Sequence, residues 1–133
     1  MARRDAAEKL IADWGRGNVL AAECPSRAVL GHLTSRWGTL VMVALATGPH
    51  RFAQLRRRIG GVSERMLSQV LKDLEADGFV LREARAVVPP HVDYSLTPLG
   101  EEAAVHVIAL VGWIEENLPR IPHARADAAG TAV

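Results

Sequence analysis

The 133-residue chain has one cysteine, Cys24, so an intrachain disulfide framework is excluded. His32, His50, His91, His106 and His123 fall at spacings that match no structural zinc site, and neither a metal nor another cofactor is expected. There is no Ser/His/Asp or Cys/His arrangement at motif spacing and no glycine loop that would cradle a phosphate, which makes an enzyme the poorest reading. No apolar stretch approaches the roughly 20 residues of a membrane span. The opening MARRDAAEKLIADWG carries acids where a signal peptide would have an apolar core, so a cytoplasmic protein without a membrane is expected. Net charge is small as well, at +1 at pH 7.

What is present suffices for a single domain, since 49% of the residues are apolar. The chain is organised around FAQLRRRIGGVSERMLSQVLKDLEADG, from Phe52 to Gly78. In its second half Leu67, Val70, Leu71 and Leu74 recur at helical spacing and predict a face lying on a core. The opposite face carries Arg65, Ser68, Gln69 and Lys72, side chains that reach guanine edges, adenine edges and phosphates. Ser63 offers an N-cap oxygen, Glu64 suits the positive helix end, and Gly78 suits a left-handed C' residue. The predicted helix therefore spans Glu64 to Asp77. A shorter helix with the stripe Phe52, Leu55 and Ile59 precedes it, and Gly60-Gly61 make the corner of a helix-turn-helix.

Charge is concentrated at this corner. Six cations (Arg51, Arg56, Arg57, Arg58, Arg65 and Lys72) face the single anion Glu64 between positions 51 and 72, which is an electrostatic footprint for phosphates. Read alone, Arg56 to Arg58 would also fit an ordinary solvated face.

Upstream, residues 5 to 14 predict a weak helix with Leu10, Ile11 and Trp14 on one side, within an N-terminal arm of residues 1–23. Helices are expected over Pro25 to Leu33 and Leu40 to Ala46, the latter apolar nearly all round and hence central. Downstream, residues 79–82 and 92–96 take on the alternation of strands. A β-hairpin directly after a recognition helix is a wing, and Arg82, Arg85 and His91 would bring positive or protonatable groups to the DNA backbone or minor groove. Val87 and Val88 suggest a tip that touches protein or packs on itself. From Thr97-Pro98 a long helix carries the ridge Ala104, Val107, Ile108, Val111, Ile114 and Leu118, which requires a partner. The composition of residues 119–133 predicts a disordered tail after the domain at 24–118. The fold class expected is mainly α with a small β-hairpin (α+β), a winged helix-turn-helix.

The ordered series CP at Cys24, RW at Arg36-Trp37, GPHRFAQLRRRI, SERMLSQVLKDLEADGFV, VPP and YSLTPLG resembles the HxlR family of winged-helix transcription regulators. The resemblance covers about Cys24 to Leu118. It implies a homodimeric bacterial repressor or activator whose N- and C-terminal helices form the dimer interface, bound to double-stranded DNA at a pseudo-palindromic operator. Carried over by motif, Arg65, Ser68 and Gln69 would enter the major groove, Ser63 and Arg56 to Arg58 would hold phosphates, and Arg82 would lie at the wing base. The wing departs from the family pattern, with Val87 where an acid is common and His91 where arginine is common.

Two further readings stay open at this level. Cys24 is a redox-sensing thiol, its pKa lowered by a helix start and by Arg27, or it is a structural cysteine. Trp14, Trp37 and Trp113 line an effector pocket for a small molecule at a dimer junction, or they anchor core and interface. A winged helix that binds only protein is the alternative function. It would not need Arg65, Gln69 and Lys72 on one exposed face, and salt-sensitive DNA binding separates the two.

Overall fold

Ser35 closes one helix and opens the next. Its hydroxyl accepts from the backbone N–H of Gly38 at 3.0 Å and donates to the carbonyl of His32 at 3.1 Å, so α2 (Pro25–Thr34) and α3 (Arg36–Leu45) meet at a 71° bend. This computed structural model describes residues 2–14 and 17–124. Pro25 sits at the first turn of α2, where its missing N–H costs nothing. The helix α3 begins at Arg36, earlier than the predicted Leu40, because the Ser35 cap extends it over Trp37 and Gly38. It is central as expected: Val41, Met42, Ala44 and Leu45 are buried, and Leu40 alone of its aliphatic run reaches solvent substantially.

The corner follows. A two-residue strand β1 (His50–Arg51) leads into α4 (Phe52–Arg58), and α5 (Glu64–Ala76) comes after the Gly60-Gly61 turn. The backbone N–H of Arg51 is capped by the Gln54 side chain at 2.8 Å, and Ser63 caps α5 by accepting from Met66 N–H at 3.1 Å. Leu55 and Ile59 of the first stripe and Leu67, Leu71 and Leu74 of the second are buried in one cluster with α3, while Phe52 and Val70 pack at its edge. Burial of each such side chain contributes about 1.5–3 kcal/mol, so these stripes fix which face of α5 is left outside. The helix ends one residue before the predicted Asp77, which is its C-cap, and Gly78 turns the chain at φ +86°.

Strands β2 (Val80–Arg85) and β3 (His91–Leu96) form an antiparallel hairpin in continuous register from Val80↔Leu96 to Arg85↔His91. It is longer than the predicted 79–82 and 92–96, since Glu83, Ala84 and Arg85 pair through their backbone without a large apolar side chain to mark the strand. β1 adds to β3, giving the order β1-β3-β2. A two-residue strand has no periodicity to read, and its existence depends on β3 arriving beside it.

Helix α6 (Pro98–Asn117) is capped by Thr97, whose hydroxyl accepts from Gly100 N–H at 3.0 Å and donates to the Gly78 carbonyl. A Cβ at Gly100 would collide with the Phe79 carbonyl, so glycine permits the start of α6 to close against the end of α5. A 3-10 turn at Leu118–Arg120 follows, and most of the predicted tail, residues 125–133, lies outside the described residues. The first helix, α1 (Ala2–Asp13), starts before the predicted residue 5 and buries nothing against the chain.

Candidate nucleic-acid interface

With Leu67, Leu71 and Leu74 turned inward, Arg65, Gln69 and Lys72 stand exposed on α5, and Ser68 is half-buried between the two faces. Among the described residues, Arg65 and Lys72 form no side-chain hydrogen bond or ion pair, so their charges are uncompensated. Gln69 is engaged: its amide donates to the Asp73 carboxylate at 3.0 Å, one turn along. Met66 also lies outside the apolar stripe and is 47% exposed. Met66 stands four residues before Val70 and so continues the apolar spacing, which gives the sequence alone no signal of this exposure. Its thioether side chain suits a thymine methyl.

The arginine run is divided by the fold. Arg56 pairs with Glu64 across the corner at 3.1 Å, with both side chains well exposed, a contact weak enough to exchange for a phosphate. Arg58 turns away, donating to the Thr47 hydroxyl at 2.7 Å and to His50 Nε2 at 2.9 Å. A guanidinium only donates, so Nε2 is the acceptor and His50 carries its proton on Nδ1, which reaches the Gly48 carbonyl at 2.7 Å. Arg57 keeps no such partner among the described residues. Ser63 uses its oxygen to accept from Met66, leaving its O–H free to donate at the N-terminus of the 13-residue α5.

On the wing, Arg82 is exposed and unpaired among the described residues, opposite Tyr94 in the hairpin. Arg85 and His91 are drawn into a cluster instead. Arg85 donates to Asp93 at 3.0 Å and lies 3.7 Å from Glu83, and His91 Nε2 lies 3.5 Å from the same Asp93 carboxylate. Arg51 donates to His91 Nδ1 at 3.2 Å, tying α4's start to the wing. The Arg85 hydrogen bond, helped by the nearby His91, holds the Asp93 carboxyl below its usual range. Of the two readings of the tip, packing on itself does not hold at Val88, which is 99% exposed next to Pro89 and Pro90, while Val87 is 50% exposed.

Cys24 is the N-cap residue of α2, half-buried, with Sγ 2.8 Å from the Ser26 hydroxyl. That hydrogen bond, then the Ser26 backbone, lowers the thiol pKa against the opposing effect of burial. The expected help from the Arg27 charge is corrected by its geometry. Its guanidinium donates to the carbonyls of Val19 and Leu20 at 3.2 and 3.3 Å, and Arg27 reaches the thiol only through its backbone. Trp14 lines an apolar groove of about 610 Å³ with Val19, Val29, Leu30 and Leu33. Trp37 packs partly on the core under the Arg36 guanidinium, 5.6 Å from its ring centre, and Trp113 is exposed on α6. The three tryptophans thus stand on separate parts of the chain. Among the described residues no three His, Cys, Asp or Glu side chains could share a metal ion, and no single helix is long and apolar enough to cross a membrane.

The model of the HxlR-like helix-turn-helix family matches residues 32–122. The chain is 60% identical over 113 residues to the HTH-type transcriptional regulator YtfH of Escherichia coli K12, covering 85% of this chain and 90% of that protein. It is similar to the solved structure of the putative transcriptional regulator ytfH from Salmonella typhimurium, at 58% identity and a TM-score of 0.77, covering 84% of this chain and 99% of the other. The oxidised form of the redox regulator HypR is also similar, at 36% identity and a TM-score of 0.65 over 71% of this chain and 97% of that one.

Proposed function

As the chain belongs to the HxlR-like helix-turn-helix family and is a DNA-binding transcriptional regulator, we propose that it acts in the cytoplasm as a homodimer on a pseudo-palindromic operator. The observation that carries this is the exposed face of α5. Arg65 and Lys72 stand uncompensated there because the opposite face is locked into the core. Arg65, Gln69, Ser68 and Met66 read bases in the major groove. Arg57, Arg56 once released from Glu64, and Ser63 hold phosphates, and Arg82 meets the backbone from the wing.

The second copy covers α6 and α1. Ala104 and Val107 face the chain's own core, but Val105, Ile108, Leu110, Trp113 and Ile114 are exposed along a helix about 30 Å long. Leu10, Ile11 and Trp14 are exposed near the other end of the chain. This exposed apolar surface on the two helices supports burial by a partner. A two-fold pair would set its recognition helices on half-sites about 34 Å apart or a small multiple of it.

Cys24 serves as the switch in this reading, supported by the Ser26 contact that favours its thiolate. With one cysteine per chain, oxidation joins two thiols of separate subunits, or one with a small thiol, releasing two protons and two electrons to the oxidant. Selection of bound duplexes from a random pool, followed by sedimentation of the complex, tests the proposal. Enrichment of inverted repeats bound by two chains is expected. A monomer that binds a single half-site with full affinity rejects it.

A further inference from the structure

His32 and Asp77 are 45 positions apart and meet at 2.6 Å, Nδ1 to carboxylate. Asp77 is only 14% exposed and His32 34%. The pair joins the last turn of α2 to the C-cap of α5. On its other side the end of α5 is held by Thr97, which reaches the Gly78 carbonyl and, through its N–H, the Phe79 carbonyl at 3.0 Å. The contacts of Leu67, Leu71 and Leu74 decide which face is inward, but apolar contact has no direction and permits rolling and small tilts. A hydrogen bond to a carboxylate has both length and direction.

We infer that His32 is a positioning residue for operator recognition, holding α5 at a fixed tilt through Asp77. Asp77 lies 12 residues beyond Arg65, about 18 Å along the helix, so a tilt of about 5° at the C-cap displaces Arg65 by about 1.5 Å. Paired contacts to a base edge do not survive such a displacement, because hydrogen bonds weaken steeply outside their short range. Attraction to phosphates, which depends on charge near a surface, does survive it. His32 therefore acts on specificity more than on general DNA binding.

The test compares duplexes selected by the wild-type chain with scrambled duplexes. His32→Ala should weaken binding to selected duplexes about tenfold, with scrambled duplexes little changed. His32→Asn, whose amide nitrogen stands near the position of Nδ1, should restore most of the loss. Asp77→Ala should lose the same factor, and the double variant no more than either alone. Asp77→Ala carries the comparison if thermal melting shows that His32→Ala does not fold. Equal losses on both kinds of duplex, additive losses in the double variant, or failure of asparagine to restore binding overturn the inference.

Discussion

Arg85 Nε stands 3.0 Å from the Asp93 carboxylate, and this pairing withdraws an arginine of the wing from the free cationic surface. Arg82, three pairs nearer the hairpin base, has no such partner among the described residues. Arg82→Ala is expected to weaken all duplexes and to reduce the salt slope of binding by about one. Arg85→Ala should change affinity by less than about 0.5 kcal/mol. Anisotropy titrations at several salt concentrations separate them, and equal slopes for the two variants would contradict the assignment.

On α5, Arg65→Ala should cost about 1–3 kcal/mol on the cognate operator with little effect on random DNA, whereas Arg57→Ala should weaken both. Gln69 must leave Asp73 before it can read a base. Asp73→Ala, which frees the amide and removes a carboxylate from the DNA-facing side, should therefore raise affinity. Competition binding with cognate and scrambled duplexes reads all three.

The wing should loosen in acid. The folded Asp93 pKa is depressed, chiefly by its Arg85 hydrogen bond. The contribution of this cluster is then fully present above the ordinary carboxylate range and is lost as pH falls through the lowered value. Protection of the β2 and β3 amides from exchange, taken relative to the intrinsic rate at each pH and followed downward from pH 5, should fall only below the usual carboxylate range, and Arg85→Ala should move that onset to higher pH. An onset unaffected by Arg85→Ala would discard the explanation.

Cys24 should be alkylated faster near neutral pH than a free cysteine, because the Ser26 contact leads the lowering of its pKa. Ser26→Ala should shift the rate profile to higher pH. Mild oxidant should alter DNA binding, and Cys24→Ser should abolish that response with reduced-state binding intact. Unchanged affinity after confirmed modification of the thiol returns Cys24 to a structural role.

Gly100→Ala should destabilise the fold by about 1–3 kcal/mol, the usual cost of forcing an extra group into a closed contact. Its Cβ meets the Phe79 carbonyl just after the recognition helix. Thermal melting measures the loss. A melting temperature equal to the wild type would show that the α5 and α6 ends are not in the contact described.

The sequence by itself determined which residues make α5 and which face it shows. Leu67, Leu71 and Leu74 repeat at helical spacing, and Ser63 and Gly78 mark its ends, because these signals depend only on near neighbours in the chain. Local pattern likewise located the hairpin and the start of α6 at Pro98. Only the tertiary structure decided how the charges are shared. Arg56, Arg57 and Arg58 are adjacent in sequence, yet one faces Glu64, one faces solvent and one is drawn to Thr47 and His50. The same holds for His91 and Arg85 around Asp93, for β1 beside β3, and for His32 on Asp77. Backbone periodicity is a property of a few consecutive residues, whereas a hydrogen bond or ion pair acts over about 3 Å. Which groups come within that distance is known only once distant segments have packed together.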